Sequence, residues 1–253
     1  IHSDHKNVPI KYLASHTSGI NDFHDCSKKN KMLVNKFGQI EGMKSRNLVA
    51  KYILNLPSLY IAGTKRQYSN VGYGILGAII EKLTKQKYIK LIEKYIFKSL
   101  CIESMYPNYS TGIGFADGHG MSGLLDNYKF VPLKKLEHIL YEEPAGSIYI
   151  NILDSTKYLQ QYLKAFHSKK ELFDNEIYKL QTTPILNRYA LGWWVIVDDD
   201  IMIHSGSWFG TSTLYIICPN QNIGMIIQTN TKRVEFNKIH KEFNKIFLKK
   251  STK

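Results

Sequence analysis

Between residues 189 and 229 the chain runs through four apolar stretches rich in β-branched and aromatic residues: Tyr189–Val197, Ile201–His204, Ser212–Cys218 and Ile223–Thr229. They are parted by Asp198-Asp199-Asp200, a glycine-bearing turn, and Pro219-Asn220-Gln221-Asn222. Strands this short, joined by turns of a few residues, pair with their chain neighbours, so an antiparallel meander of three or four strands is expected. Such a sheet must bury at least one face. The next segment, Arg233 to Lys249, has helical periodicity and supplies a cover, with Val234, Ile239, Phe243, Ile246 and Phe247 expected inward.

Upstream the apolar period changes from two to 3.6. Ile10–Ser15 reads as a short helix, and Ser45–Leu56 as a longer one stopped by Pro57. Val71–Leu83, Tyr88–Leu100 and Asp154–Phe166 follow, the last capped by Asp154 or Ser155. A glycine-rich loop, GIGFADGHGMSG, spans Gly112–Gly123. The expectation is an α+β fold in one domain. Its mainly helical lobe covers about residues 16–185, and the sheet with its C-terminal helix about residues 186–253.

Composition removes several classes of function. The formal charge is +13, yet only Arg46, Arg66, Arg188 and Arg233 among the 34 basic residues are arginine. Nucleic-acid binders lean on arginine forks for bases and phosphates, so no nucleic-acid partner is expected. A weak attraction to anionic surfaces such as cell-wall polymer is compatible with the charge. Cys26, Cys101 and Cys218 form no C-x-x-C pair and read as thiols rather than a disulfide framework. No apolar run reaches the ~20 residues of a membrane span. His2, Asp4, His5, His16, Asp22, His24, Asp25 and Cys26 crowd one region, but no H-E-x-x-H pair aligns them, and no metal or other cofactor is expected.

Residues 62–80 read AGTKRQYSNVGYGILGAII, a turn leading through Tyr68-Ser69-Asn70 into a glycine-punctuated apolar helix. A G-x-G-x-x-G phosphate loop would need a preceding strand, and none is expected. The stretch resembles the Y-x-N block of the serine β-lactamase-related family: class C β-lactamases, penicillin-binding D-alanyl-D-alanine carboxypeptidases and family VIII esterases. IKYLASHTSGI (10–20) is similar to an earlier block of that family. FADGHG (115–120), EPAGSIYINILDSTKYLQQYL (143–163), YALGWWV (189–195) and HSGSWFGTSTLYIICPNQNIGMIIQTN (204–230) resemble later ones. The blocks occur in order over nearly the whole chain.

The resemblance implies a β-lactamase/transpeptidase-like fold and a serine hydrolase acting on amide or ester bonds through an acyl-serine intermediate. It implies that Tyr68 exchanges a proton with the nucleophile and that Asn70 donates to a substrate carbonyl. It places His204, Ser205 and Gly206 on a strand edge lining the cleft, with the Ser207 backbone N–H as an oxyanion donor. Gly146 and Ser147 would line or support that cleft. Glycines 72, 74 and 77 would let the helix pack closely. His16-Thr17-Ser18-Gly19 would form a structural corner, its hydroxyls bonding local backbone.

The family's S-x-x-K motif, with its nucleophilic serine and lysine one turn apart, should lie tens of residues before H-T-S-G. Only fifteen residues precede His16 here. Ser3-Asp4-His5-Lys6 fits literally, but Pro9 would interrupt the helix it needs. The chain, opening on Ile1, is therefore expected to be N-terminally incomplete, lacking the nucleophile and flanking strands, and inactive alone. The alternative is a catalytically dead remnant or a non-catalytic ligand-binding module of the same fold. The implied partner is a small-molecule or peptidoglycan-peptide substrate, and the implied location is the periplasm or another exported compartment. A β-lactam, a D-Ala-D-Ala peptide and an ester all remain open as substrates.

Overall fold

The glycines of the helix after Tyr68 show how the first part of the chain packs. The computed structural model describes residues 1–22, 28–37, 40–103, 118–121, 128–131, 140–169, 172–197, 200–208, 210–231 and 234–247. It divides into two compact units, each drawn from separate stretches of the chain.

The first unit comprises Ile1–Pro107, Glu137–Tyr149 and Thr183–Gly192. Its helices are α1 (Ile10–Ala14), α2 (Lys28–Phe37), α3 (Gly42–Leu54), α4 (Asn70–Thr84) and α5 (Tyr88–Ile92). α5 runs on through a π-helical turn, Glu93–Phe97, and a 3-10 turn, Lys98–Leu100. Leu13, Leu33, Val49, Ile53, Val71, Ile75 and Tyr141 form its core. A 3-10 turn, Leu140–Ala145, lies against α4. A Cβ on Gly74 would stand 2.5 Å from the Tyr141 carbonyl oxygen, and one on Gly77 would stand 2.4 Å from the Pro144 ring. These two glycines are therefore packing requirements. Gly72 is not, since its Cβ would meet nothing closer than 3.5 Å.

Arg46 ties three of these elements together from a buried position. Its Nη2 and Nε donate to Glu81 of α4 at 2.5 and 3.0 Å, and its Nη1 donates to Glu143 of the 3-10 turn at 2.6 Å. A buried guanidinium needs such bidentate partners, because an unpaired one would lose its hydration without compensation.

The second unit comprises Asn108–Leu136, Ile150–Thr182 and Trp193–Lys253. Within it lie a hairpin of β1 (Gly118–Met121) and β2 (Tyr128–Val131), then α6 (Ile152–Phe166) and α7 (Asn175–Thr182). β3 (Trp194–Ile196), β4 (Ile201–Trp208), β5 (Thr211–Cys218) and β6 (Ile223–Thr229) form an antiparallel sheet in chain order, followed by α8 (Phe236–Phe247). The expected meander is present.

Register decides which residues face which helix. Ile203 pairs with Ile216, and Ile216 with Met225, so these share a face. That face packs against Phe236, Ile239 and Phe243 of α8. The α8 residues packed on the sheet end at Phe243, and Ile246 and Phe247, expected inward, are 66% and 43% exposed. On the opposite face Gly224 makes room for Leu159 of α6, whose Cδ2 would lie 2.0 Å from an added Cβ. Gln228 Nε2 donates to Ser155 Oγ at 2.9 Å and to the Ile150 carbonyl at 3.3 Å. α6 starts two residues before the expected helix: its N-cap is Asn151, whose Oδ1 accepts from the Asp154 N–H at 2.8 Å.

Most of the Gly112–Gly123 loop lies outside the described residues, as do His24, Asp25, Cys26 and Arg233. Among the described residues no helix is long and apolar enough to cross a membrane. Neither Cys101 nor Cys218 forms a disulfide.

Candidate active site

The first four N–H groups of a helix lack intrahelical acceptors. At the start of α4 two side chains supply acceptors for three of them. Ser69 is the N-cap, its Oγ accepting from the Gly72 N–H at 3.0 Å. Asp22 Oδ1 accepts from the Asn70 N–H in a short bond and from the Val71 N–H at 3.2 Å. Its negative charge also complements the helix dipole. With capping done by Ser69 and Asp22, the half-buried Asn70 amide makes no side-chain hydrogen bond to any described residue.

Tyr68 immediately precedes this capped turn. It is 42% exposed, and burial of the rest, with the charges of Asp22 and Glu142 added, pushes its phenol up. Tyr68 therefore holds its proton at neutral pH. Glu142 sits 7% exposed in the 3-10 turn, where burial and then the Asp22 charge push its carboxyl up to about 8. Tyr141, next to it, is pushed up as well, first by burial and then by Glu142.

The H-T-S-G block lies against the same turn. Ser18 Oγ accepts from the Ile20 N–H at 3.3 Å, a local backbone bond of the expected kind. The Ser15 and Thr17 hydroxyls bond each other at 2.8 Å. His16 does more, because its Nδ1 accepts from the Ser69 N–H at 3.0 Å and its ring lies 4.2 Å from that of Tyr68. The sequence reading gave His16 a place only in the structural corner and in the crowd of candidate metal ligands, Asp22 a place only in that crowd, and Glu142 no role. Only the H-T-S-G block hinted at the first, and no local pattern hinted at the other two.

In the second unit the H-S-G residues sit near the end of β4. β3 pairs with β4 only as far as Ile203, which faces Trp194. From His204 to Trp208 that edge of β4 has no strand partner among the described residues, while its other edge stays paired to β5. Ser205, Gly206 and Ser207 are exposed. A Cβ on Gly206 would meet no described atom within 4 Å, so packing does not require glycine there. Gly146 is equally open, and Ser147 after it is left-handed at φ 64°. The Ser207 hydroxyl is tied down, donating to the Thr211 carbonyl at 3.0 Å and accepting from Ser212 Oγ at 3.2 Å. Any role of Ser207 toward a ligand falls to its backbone. His204 is half-buried, edge-on to Trp193 at 6.4 Å, and burial lowers its pKa, which leaves a neutral imidazole at pH 7.

Ser3 does not sit on a buried helix. It is exposed on the three-residue 3-10 turn Ser3–His5, with its hydroxyl 3.4 Å from Asp4 Oδ1. His5 Nε2 contacts the Leu56 carbonyl oxygen at 3.0 Å. Among the described residues no cluster of three His, Cys, Asp or Glu could hold a metal ion.

The Beta-lactamase family model matches residues 2–246, almost the whole chain. This chain is a member of the Beta-lactamase family. Among curated relatives, Protein flp of Staphylococcus aureus (strain MRSA252) is 27% identical over 228 residues, covering 88% of this chain and 43% of that protein. The N-acetylmuramyl-L-alanine amidase of Bacillus subtilis (strain 168) is 28% identical over 221 residues, covering 75% of this chain and 49% of its own length. The chain thus spans less than half the length of these relatives. A penicillin-binding protein from Bacillus halodurans superposes with a TM-score of 0.75 at 18% identity, covering 98% of this chain and 75% of that one. The family's penicillin-binding-type fold accounts for the helices, the antiparallel sheet and the closing α8.

Proposed function

We propose that this chain furnishes the tyrosine–asparagine pair and the H-S-G strand edge of a serine hydrolase of the β-lactamase/penicillin-binding type. The observation that carries the reading is the first turn of α4. Ser69 and Asp22 satisfy its backbone, and the Tyr68 phenol and Asn70 amide stand beside it with no hydrogen bond to a described residue.

In the proposed reaction a serine oxygen attacks the carbonyl carbon of an amide or ester. The serine loses its proton, the leaving amine or alkoxide gains one, and water later releases the acyl group. Tyr68, protonated at neutral pH, gives its own proton to the leaving group and takes the serine's proton in its place. Asn70 donates to the substrate carbonyl, and the backbone N–H of Ser207 donates to the developing oxyanion. His204, neutral, offers a hydrogen bond rather than a charge, beside Ser205 and Gly206.

The nucleophile is assigned to the serine of an S-x-x-K motif other than Ser3-Asp4-His5-Lys6, since Ser3 lies exposed on a short turn. The substrate is assigned to the peptides of peptidoglycan, which accords with the amidase named among the relatives, and the location to an exported compartment.

The test compares the protein at the length its gene encodes with the 253-residue chain. Both are treated with a fluorescent penicillin and assayed with nitrocefin and p-nitrophenyl butyrate. Labelling and turnover are expected of the longer protein only, and Tyr68→Phe in it should slow acylation by about 100-fold or more. Labelling of the 253-residue chain would overturn the assigned nucleophile. An inert longer protein would favour the non-catalytic, ligand-binding alternative.

A further inference from the structure

His16 touches three consecutive residues of the segment that carries Tyr68. Its carbonyl oxygen accepts from the Gln67 N–H at 2.9 Å. Its ring lies 4.2 Å from the Tyr68 ring, tilted by 36°. Its Nδ1 accepts from the Ser69 N–H at 3.0 Å. One residue thus fixes the backbone on both sides of Tyr68 and supports the ring itself.

The posture of His16 is built for this. It is 2% exposed, and its φ of 59° lies in the left-handed region, which costs a residue with a β-carbon free energy unless its surroundings impose it. The Tyr189 and Tyr73 rings, at 5.0 and 5.2 Å, enclose the imidazole further, and Tyr73 Oη is anchored on the Ala14 carbonyl at 2.8 Å. Behind His16, the Thr17 and Gly19 carbonyls accept from the Gly63 and Leu59 N–H groups at 2.8 and 3.0 Å, so the corner grips the loop leading to Tyr68 along its length. A ring nitrogen that accepts from a backbone N–H carries no proton, so His16 is neutral with its proton on Nε2.

We propose that His16 is the positioning residue of this site, holding the Tyr68 phenol and the first turn of α4 in the geometry proton transfer requires. The proposal rests on the reading of Tyr68 given above, and on a different observation from the one that carries it. Asp22 holds the turn from the side of Asn70, and His16 holds it from the side of Tyr68.

Two variants of the longer protein separate ring from acceptor. His16→Asn keeps an acceptor near the Nδ1 position and tolerates a positive φ, but removes the ring. His16→Phe keeps a ring and removes the acceptor. Each should slow acylation by about 10- to 100-fold with KM little changed, the scale expected when a catalytic group is displaced by about 1 Å. In nitrogen-15 NMR, wild-type His16 should show the Nε2-protonated neutral tautomer. The Tyr68 ring signals, assigned by their loss in Tyr68→Phe, should move in His16→Asn. Wild-type acylation in both His16 variants with unmoved Tyr68 signals would overturn the proposal, as would a wild-type His16 protonated on Nδ1. Full activity of Tyr68→Phe would instead sink the catalytic reading of Tyr68. Displaced Tyr68 signals in His16→Asn would then still uphold the clamp.

Discussion

Glu142 is buried within range of the Asp22 charge, and burial followed by that charge pushes its carboxyl up to about 8. Two carboxyl groups so placed resist ionising together, and Asp22 is the one bonded to the N–H groups of α4.

The consequence is a pH dependence of stability with a definite sign. The ordinary value for Glu142 is 4.5, so between pH 4.5 and about 8 the folded state holds a proton that the unfolded state has lost. This group's contribution is therefore fully present at low pH and drains away as pH rises through that window, by at most about 1.4 kcal/mol per pH unit. Glu142→Gln mimics the neutral acid and should remove the slope. Urea midpoints of wild type and variant should nearly coincide at pH 4 and diverge by pH 8, with the variant the more stable. Parallel curves would show that Glu142 ionises normally.

Two glycines should behave in opposite ways. Gly74 lies beneath the Tyr141 carbonyl, which an added methyl would meet at 2.5 Å, and a backbone atom cannot swing aside. Gly74→Ala should destabilise the protein by about 1–3 kcal/mol, in spite of alanine's better helix propensity. Gly206→Ala meets no described atom, so its unfolding midpoint should stay within about 0.5 kcal/mol of wild type. If the H-S-G edge takes substrate, acylation by the longer protein should nonetheless fall. Thermal unfolding and penicillin labelling of both variants make the comparison, and unimpaired labelling of Gly206→Ala would remove that edge from the site.

The pattern of elements was open to sequence reasoning where side chains alone decide structure. β5 and β6 are legible because Leu214, Ile216, Ile226 and their neighbours are apolar or β-branched. The end of β4 is not, since Ser205, Gly206 and Ser207 have little strand preference and are extended by pairing with Leu214, Thr213 and Ser212. α2 was missed because Lys28, Lys29, Asn30 and Lys31 open it and dilute its period. Tyr68 and Asn70 could be picked out by motif. The partners that hold them could not, since Ser69 is 53 residues from His16 and Asn70 is 48 from Asp22. Hydrogen bonds over such spans leave no local period to read.

Arg46 offers a test of the first unit's framework. Replacing it with Met preserves much of its volume but strands Glu81, whose side chain is fully buried. Breaking a buried pair by removing one partner costs about 3–5 kcal/mol. Adding Glu81→Gln should restore part of that stability, because the amide is neutral and its oxygen can still accept from the Tyr88 N–H, now held at 2.8 Å. Chemical unfolding of the single and double variants gives the answer. A double variant less stable than Arg46→Met alone would mean that the charge of Glu81 is satisfied by other groups.

His204 should titrate below the ordinary histidine value of 6.5, because its burial disfavours the imidazolium. The sign for stability is opposite to that of Glu142: below pH 6.5 the unfolded state takes up a proton before the folded state does, so this contribution is lost as pH falls. For function, the strand edge then presents a neutral ring at pH 7, able to donate or accept a hydrogen bond but bringing no charge to an anionic group. His204→Asn should raise KM for a carboxylate-bearing substrate without changing how KM responds to salt, since no charge pair is removed. A proton NMR titration of the His204 ring checks the premise directly. A midpoint above 6.5 would make His204 a cation in the working range and recast this edge as an anion-binding one.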